Sequence, residues 1–172
     1  MILPARCLVA DPPWIFRDKL PGESRGAEKN YRVLSVEALR HFQLPPLADD
    51  AYLFLWRVAA MQEEAFAVVR AWGFTVKTEM VWLKRTANGK RWFGMGRTVR
   101  AEHETCLIAT RGQPHVKSHS IRSTFEAQVG RHSQKPEAFY DLVESLCDGP
   151  YVELFARRQR PGWTCLGDEA SS

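Results

Sequence analysis

The chain has 172 residues, 45% of them hydrophobic and 26% charged, and its 24 Lys and Arg against 20 Asp and Glu give a net charge of +4. This composition is typical of one globular domain, so we expect residues 1–172 to form a single domain, and it excludes a disordered tail or a miniprotein that depends on disulfides. No stretch reaches the roughly 18 apolar residues of a membrane helix, and the mild basic excess permits nucleic-acid binding without establishing it.

Short apolar runs alternate with helical patterns along the chain. The runs predict strands at residues 6–10, 51–56, 74–83, 103–110 and, as the last strand, 151–156. Helices are predicted from Ser35, over residues 59–72 and from Pro136, whereas residues 15–30, 84–100 and 111–134 are predicted to be loops. Because strands that are apolar throughout are buried on both faces, the pattern predicts an α/β fold with a largely parallel sheet. Ligands bind beyond the carboxyl ends of such strands, which here lead into residues 11–14 and into Arg157 and Arg158.

The strongest functional signal is Asp11-Pro12-Pro13-Trp14, directly after the first predicted strand. Methylation of an exocyclic base amine requires acceptors for the two amine hydrogens, because the nitrogen lone pair is delocalised into the ring. The Asp11 carboxylate and the Pro12 carbonyl can supply two acceptors, and Pro13 keeps the turn rigid. Trp14 can stack on a base flipped out of its strand. The alternative is a proline-stiffened strand end with a packed tryptophan.

At these residues the sequence resembles a known family. Asp-Pro-Pro-Trp is the signature of amino-methyltransferases that use S-adenosylmethionine, and the chain as a whole resembles the MT-A70 (MTA-70) family of adenine-N(6) methyltransferases. Supporting segments occur in the family's order at residues 31–35, 53–56, 72–74, 81–84, 104–112, 132–136, 153–157, 162–163 and 167–169. The resemblance implies a permuted Rossmann-like fold, with a mostly parallel central sheet and helices on both faces, and S-adenosylmethionine as cofactor.

The resemblance also implies which residues hold the cofactor. The residues matching the family's cofactor site are Asp11, Lys135, Phe155, Arg157, Asp168 and Glu169. Gly167-Asp168-Glu169 stands where the family has Gly-Asn-Glu or Gly-Asn-Gln. Aspartate accepts a hydrogen bond from a ribose hydroxyl but cannot donate one as asparagine does.

On the substrate side, the resemblance implies that Tyr31 closes the first active-site loop and that Glu104 faces the adenosine. The residues by themselves leave other roles open. Tyr31 fits a core anchor, Glu104 a solvent-facing strand position, Lys135 a solvated first-turn lysine, and Arg157 a surface cluster with Arg158 and Arg160. Trp56, Trp72 and Trp82 are expected in the core.

Basic residues are concentrated in two predicted loops. Residues 84–100 contain six (Lys84, Arg85, Lys90, Arg91, Arg97 and Arg100) and no acid, and residues 111–122 add Arg111, Lys117, Arg122 and two histidines. Trp92 and Phe93 lie among the first set. Basic loops with aromatic residues suit a nucleic-acid backbone and splayed bases, so we expect Lys84, Arg91 and Arg97 to contact nucleic acid. A solvated charged loop is the alternative.

The cysteines and histidines predict neither a disulfide framework nor a metal site. Cys7, Cys106, Cys147 and Cys165 are far apart in sequence, without a C-x-x-C pair, so we expect reduced thiols in a cytoplasmic protein. The first residues also lack the layout of a signal peptide. His115 and His119 have a spacing that suits a metal on a helix, but their surroundings predict a loop.

Together these features predict a methyltransferase that acts on the 6-amino group of adenine in nucleic acid. DNA is favoured over RNA because the sequence shows no appended RNA module. Without a separate target-recognition domain, sequence reading is expected from the loops, a second protomer in a homodimer or a partner subunit. The alternatives are a binding subunit that presents nucleic acid to an active partner, and a methyltransferase for small-molecule or protein amines. An intact Asp11 argues against the first, and the basic loops against the second.

Overall fold

The structure is a computed structural model that describes residues 3–15, 33–131 and 134–167. The strands in these segments are β1 (Ala5–Ala10), β2 (Leu47–Arg57), β3 (Thr75–Arg85), β4 (His103–Arg111), β5 (Thr124–Gln128), β6 (Tyr151–Leu154) and β7 (Trp163–Leu166). The helices are α1 (Val36–Arg40), α2 (Gln62–Ala71, preceded by a 3₁₀ turn at Ala59–Met61) and α3 (Glu137–Leu146). None of these helices has the length and apolar character needed to cross a bilayer.

The helix boundaries follow from local chemistry that the sequence displays. The Ser35 side chain accepts a hydrogen bond from the Ala38 backbone N–H at 3.0 Å and so caps α1. Gly73, with φ of +84°, follows the end of α2 in the left-handed conformation that glycine adopts without strain. Pro136 immediately precedes α3, which confirms the predicted start of that helix.

The strands form one seven-stranded sheet in the order β5-β3-β4-β2-β1-β6-β7. β1 pairs in parallel with β2 and β6, β6 with β7, and β3 with β5. β4 runs antiparallel to both of its neighbours, β2 and β3. The mostly parallel sheet of the sequence prediction is therefore confirmed. The carboxyl ends of the parallel strands and the start of β4 meet at one edge, called the carboxyl edge below.

Two hydrophobic cores cover the faces of the sheet. On one face, α1 and α2 pack through Leu39, Val68 and Trp72 on residues of β1, β2, β4 and β6. On the other, α3 packs through Phe139 and Val143 on a set that includes Trp56 and Trp82. Helices on both faces are thus confirmed, as is the core position of Trp56, Trp72 and Trp82, which are 2%, 4% and 2% exposed.

Two of the strands differ from the sequence prediction. Residues 111–134 are predicted to be a loop, but β5 lies within them and pairs with β3 at the sheet edge. The strand at residues 151–156 is predicted to be the last, but β7 follows and forms the opposite edge. Both are short edge strands with half-exposed residues, so neither carries the continuous apolar run that marks the buried strands.

Candidate active site

The Asp-Pro-Pro-Trp turn follows β1 at the carboxyl edge and is fixed by hydrogen bonds. The Trp14 indole N–H donates to the Trp56 carbonyl oxygen at 3.0 Å. The Trp14 backbone N–H donates to the Pro12 carbonyl oxygen at 2.9 Å, and the Leu34 N–H donates to that of Pro13 at 3.0 Å. A carbonyl oxygen has two lone pairs, so Pro12 keeps a second acceptor position. The Trp14 side chain is partly buried against the first core, which ties it to the sheet.

A cluster of opposite charges surrounds Asp11. The Lys135 Nζ lies 3.0 Å from the Asp11 Oδ2 and 3.4 Å from the Glu104 Oε2, and its side chain is only 7% exposed. The Lys84 Nζ lies 3.7 Å from the same Glu104 oxygen. These residues come from the end of β1, the segment before α3, the start of β4 and the end of β3. They meet because those four chain positions share the carboxyl edge.

Lys135 is the buried cation of this cluster. Burial by itself lowers the pKa of Lys135, but the negative charges of Asp11 and Glu104, and the hydrogen bonds to them, raise the pKa above its ordinary value. The ammonium also lies 4.9 Å from the centre of the Trp56 ring, a favourable cation–π distance. Lys135 is therefore charged at neutral pH and holds the two carboxylates in place.

A buried hydrogen-bonded pair, Glu153 and Tyr140, lies next to Asp11 and was not predicted from the sequence. Glu153 on β6 is 6% exposed, and its carboxylate accepts a hydrogen bond of 2.6 Å from the Tyr140 hydroxyl on α3. Burial raises the pKa of Glu153, and the Tyr140 hydrogen bond opposes that rise. The available signal was a glutamate inside the otherwise apolar β6 sequence Tyr-Val-Glu-Leu, since a buried carboxylate needs a partner.

The space beside these groups is small. A cavity of about 20 Å³ is lined by Asp11, Gln134, Lys135, Tyr140, Glu153, Phe155, Arg157 and Arg158. Phe155 adopts a φ of +59°, an unusual conformation for a residue with a side chain, and its ring lies 4.9 Å from that of Phe42. The cavity between these described residues has room for about one water molecule, so a nucleoside that entered this cavity would move their side chains apart.

The structure brings most of the predicted site residues together. Asp11, Lys84, Glu104 and Lys135 form one charge cluster, and Phe155 and Arg157 line the cavity beside it. Tyr31, Asp168 and Glu169 lie outside the described residues. The cofactor and substrate roles of all these residues remain predictions.

The predicted nucleic-acid residues of the 84–100 segment differ in their surroundings. Arg91 is engaged by Glu102, to which it donates two hydrogen bonds of 2.5 and 3.0 Å. Arg85 likewise donates to Glu126 at 2.5 Å. Arg97 lies on the exposed part of the same segment, between β3 and β4. The net positive charge here is thus smaller than the sequence count of cations indicates.

Comparison with known proteins extends these observations. The family model described as MT-A70 matches residues 5–169. The N(6)-adenosine-methyltransferase catalytic subunit METTL3 of Homo sapiens is 29% identical over 174 residues, which cover 94% of this chain and 27% of that protein. The putative N(6)-adenosine-methyltransferase MT-A70-like of Medicago truncatula is 29% identical over 170 residues, covering 95% of this chain and 26% of that protein.

A further relative is the N(6)-adenine-specific methyltransferase METTL4 of Homo sapiens, which is 27% identical over 186 residues. That match covers 94% of this chain and 36% of the relative. The chain therefore spans only 26% to 36% of the length of these three proteins.

Proposed function

The chain belongs to the MT-A70 family, and from that premise we propose that it transfers a methyl group from S-adenosylmethionine to the 6-amino group of adenine in nucleic acid. The observation that carries the proposal is the Asp11 carboxylate, held 3.0 Å from the buried Lys135 ammonium on a turn stiffened by two prolines. The relatives named for adenosine and adenine N(6) methylation support the choice of acceptor.

The described residues fit the proposed cofactor in charge and shape. When bound, S-adenosylmethionine supplies an electrophilic methyl group on a sulfonium cation. The Asp11 carboxylate suits a neighbouring positive charge, and the Lys135 ammonium suits the cofactor's carboxylate. Phe155 offers an aromatic face, and Arg157 offers hydrogen-bond donors in the same cavity. Because the cavity holds about 20 Å³, we expect cofactor binding to widen it.

The residues of the turn can orient and polarise the target amine. Lys135 contacts one oxygen of Asp11, and the other oxygen can accept an amine hydrogen. The remaining lone pair of the Pro12 carbonyl can accept the second hydrogen. Both hydrogen bonds concentrate the nitrogen lone pair and direct it at the incoming methyl group, so proximity and preorganised acceptors lower the barrier without a covalent enzyme intermediate. The amine proton leaves to Asp11 or to water, since Lys135 is already charged.

Nucleic acid as the substrate class is supported by the segment between β3 and β4. Lys90, Arg97 and Arg100 lie on this segment, and residues 84–100 contain no acid. Lys84, at the end of β3 where the segment begins, contacts Glu104 in the Asp11 cluster. A phosphate backbone along this segment would place a base near the carboxyl edge. We further propose that the chain works with a partner subunit or with a second copy of itself. A cytoplasmic location is also proposed, and it agrees with the free thiols of Cys7, Cys106, Cys147 and Cys165.

One assay tests the proposed function and its rivals. The protein is incubated with methyl-labelled S-adenosylmethionine and, separately, with DNA, RNA, free adenosine or a protein mixture, and the digested products are identified. Label in N(6)-methyladenine from DNA or RNA is the expected result, and DNA preferred over RNA is the finer prediction. Label in free adenosine or protein alone contradicts the nucleic-acid substrate. Nucleic-acid binding without label supports the binding-subunit alternative.

A further inference from the structure

The loop between β3 and β4, residues 86–102, exposes three large apolar side chains. Phe93 is 79% exposed, Met95 78% and Val99 75%, the three highest values among the large hydrophobic side chains of the described residues. We call these three residues the apolar tip. Isolated exposed hydrophobic residues are ordinary, but three within seven positions of one loop point to an interaction surface.

The loop that carries the apolar tip is a closely packed ribbon. A Cβ atom added to Gly94 would lie 1.9 Å from the Ala101 carbonyl oxygen, and one added to Gly96 would lie 1.9 Å from that of Val99. The two sides of the ribbon are joined by a hydrogen bond of 3.3 Å from the Ala101 N–H to the Met95 oxygen. Only glycine permits this close approach, so the backbone itself presents the tip to solvent.

The cations of the loop reinforce this arrangement. The Arg100 guanidinium donates to the Gly96 carbonyl oxygen at 2.8 Å and lies 5.5 Å from the Phe93 ring centre. Arg100 thereby adds a positive charge directly beside the apolar tip. Arg97 also lies on the loop, and the loop's one acid, Glu102, engages Arg91 at the base of the ribbon, so the charge beside the tip favours a polyanion.

The base of the ribbon is anchored on the candidate active site. The Lys84 N–H donates to the Glu102 carbonyl oxygen at 2.9 Å, and the Lys84 carbonyl oxygen accepts from the Trp92 N–H at 3.2 Å. Lys84 in turn contacts Glu104, whose carboxylate lies 3.4 Å from the Lys135 ammonium beside Asp11. The base of the ribbon is therefore linked through Lys84 and Glu104 to the place where we propose that the base reacts.

We propose that the apolar tip inserts between stacked bases of a nucleic-acid duplex and helps to extrude the target adenine toward Asp11. Apolar side chains that enter the stack, flanked by cations on the backbone, are a recognised way to unstack a base step. An adenine inside a duplex cannot present its amine to the cavity at the carboxyl edge, so the base must leave the stack before it reacts. The inference rests on the proposed function and names the substrate form, a base-paired strand. A protein interface, which also favours aromatic residues, methionine and arginine, is the competing occupant, and the oligomeric state measured below distinguishes it.

The test compares the wild-type protein with Phe93→Ser/Met95→Ser/Val99→Ser. The matched control is Leu3→Ser/Leu166→Ser, which removes exposed apolar side chains elsewhere, at 65% and 41% exposure. The first readout needs no methyl transfer. DNA and RNA duplexes carrying 2-aminopurine in varied base contexts are titrated with each protein, and the fluorescence rise that accompanies unstacking is measured. Wild type and control should produce the rise in at least one duplex type, and the tip variant should lose most of it.

The second readout is label transfer to native duplex and to the same nucleic acid after strand separation. The tip variant should lower the ratio of duplex to single-strand labelling by about tenfold, with single-strand labelling and the melting temperature nearly unchanged. Unchanged fluorescence and an unchanged ratio overturn the proposal. The proposal is also overturned if the wild-type protein unstacks no base in any duplex. It is overturned as well if the only effect of the tip variant is to convert a dimer into a monomer. Unstacking by wild type without any label transfer leaves the inference standing and refutes the proposed function instead.

Discussion

Charged residues stand at both ends of the strands, at the carboxyl edge and at the opposite, amino edge. The two sites differ in the burial of their charges and in the volume of their cavities. At the carboxyl edge, the Lys135 side chain is 7% exposed between two carboxylates, and the cavity beside it holds about 20 Å³. At the opposite, amino edge, an open cleft of about 410 Å³ lies among Arg6, Asp49, Asp50, His115 and Asp148. The His115 Nδ1 is 3.0 Å from the Asp148 Oδ2, but these side chains are 74% and 44% exposed.

The comparison shows that the larger cavity is not the better candidate for the active site. Exposed charges are solvated and screened, so a pair such as His115 and Asp148 contributes little and attracts a ligand only weakly. Buried charges interact strongly with whatever enters, and they are retained only where other groups hold them in place. The carboxyl edge therefore has the chemistry for catalysis although its cavity is small, and each prediction below contrasts the two edges or the charges within one of them.

The largest expected effect is that of Asp11→Asn. The neutral amide can turn a donor toward the target amine, so turnover should fall by at least about a hundredfold, the scale for removing one preorganised electrostatic interaction. The rate of N(6)-methyladenine formation measures it. Asp148→Asn, the matched change at the amino edge, should leave the rate unchanged. Near wild-type turnover by the Asp11 variant, with an intact melting curve, contradicts the mechanism.

Removing the buried cation should weaken cofactor binding. Lys135→Ala loses charged hydrogen bonds and leaves Asp11 facing Glu104 without a cation, so affinity for S-adenosylmethionine should drop about tenfold or more. Arg157→Ala should weaken binding in the same direction. Calorimetric titration and the ligand-induced rise in melting temperature measure the effect. His115→Ala should keep the full rise. An unchanged affinity in Lys135→Ala would place the cofactor away from this cluster.

The cations of residues 84–100 should contribute unequally to nucleic-acid binding. Lys90→Ala should lower the slope of log affinity against log salt by about 0.7 to 0.9, the value for one lost phosphate contact. Arg91→Ala should change the slope less, because Glu102 already engages that guanidinium. Arg6→Ala, at the amino edge, serves as the control. Equal slopes in all variants would show that the backbone runs elsewhere on the surface.

The smallest effect concerns stability and its pH dependence. Tyr140→Phe removes the hydrogen bond to the buried Glu153, which should cost about 1 to 3 kcal/mol of unfolding free energy. Because burial raises the pKa of Glu153, the folded state binds the proton more tightly than the unfolded chain does. The stabilisation that protonated Glu153 gives the folded state is therefore fully present at low pH, and it is lost as pH rises through the raised pKa of Glu153.

Denaturant unfolding at a series of pH values checks this sign. Glu153→Gln should flatten the decline, since the amide does not titrate. Tyr140→Phe should extend the decline to higher pH, because the hydrogen bond that it removes lowers the Glu153 pKa. Stability that rises over this pH range in the wild type, but not in Glu153→Gln, would contradict the assignment.

Much of the fold, and the motif at the carboxyl edge, could be predicted from individual residues. Ser35, Gly73 and Pro136 mark helix ends through rules that act within a few residues, and the apolar runs of β1, β2 and β4 mark the buried strands. The Asp-Pro-Pro-Trp motif and its resemblance located the family, which the match over residues 5–169 confirms. The edge strands β5 and β7 were missed because most of their residues are exposed or partly exposed, and such strands lack the continuous apolar signal.

The sequence by itself determined the alternation of strands and helices, the family and the position of Asp11 at a strand end, because each depends on local pattern and turn chemistry. Only the tertiary structure decided that Lys135 lies between Asp11 and Glu104, that Glu153 pairs with Tyr140, and that Arg91 is engaged by Glu102. These pairs join residues that are 11 to 124 positions apart in the chain. Their proximity arises from strand order and register, and no periodicity within one segment encodes those.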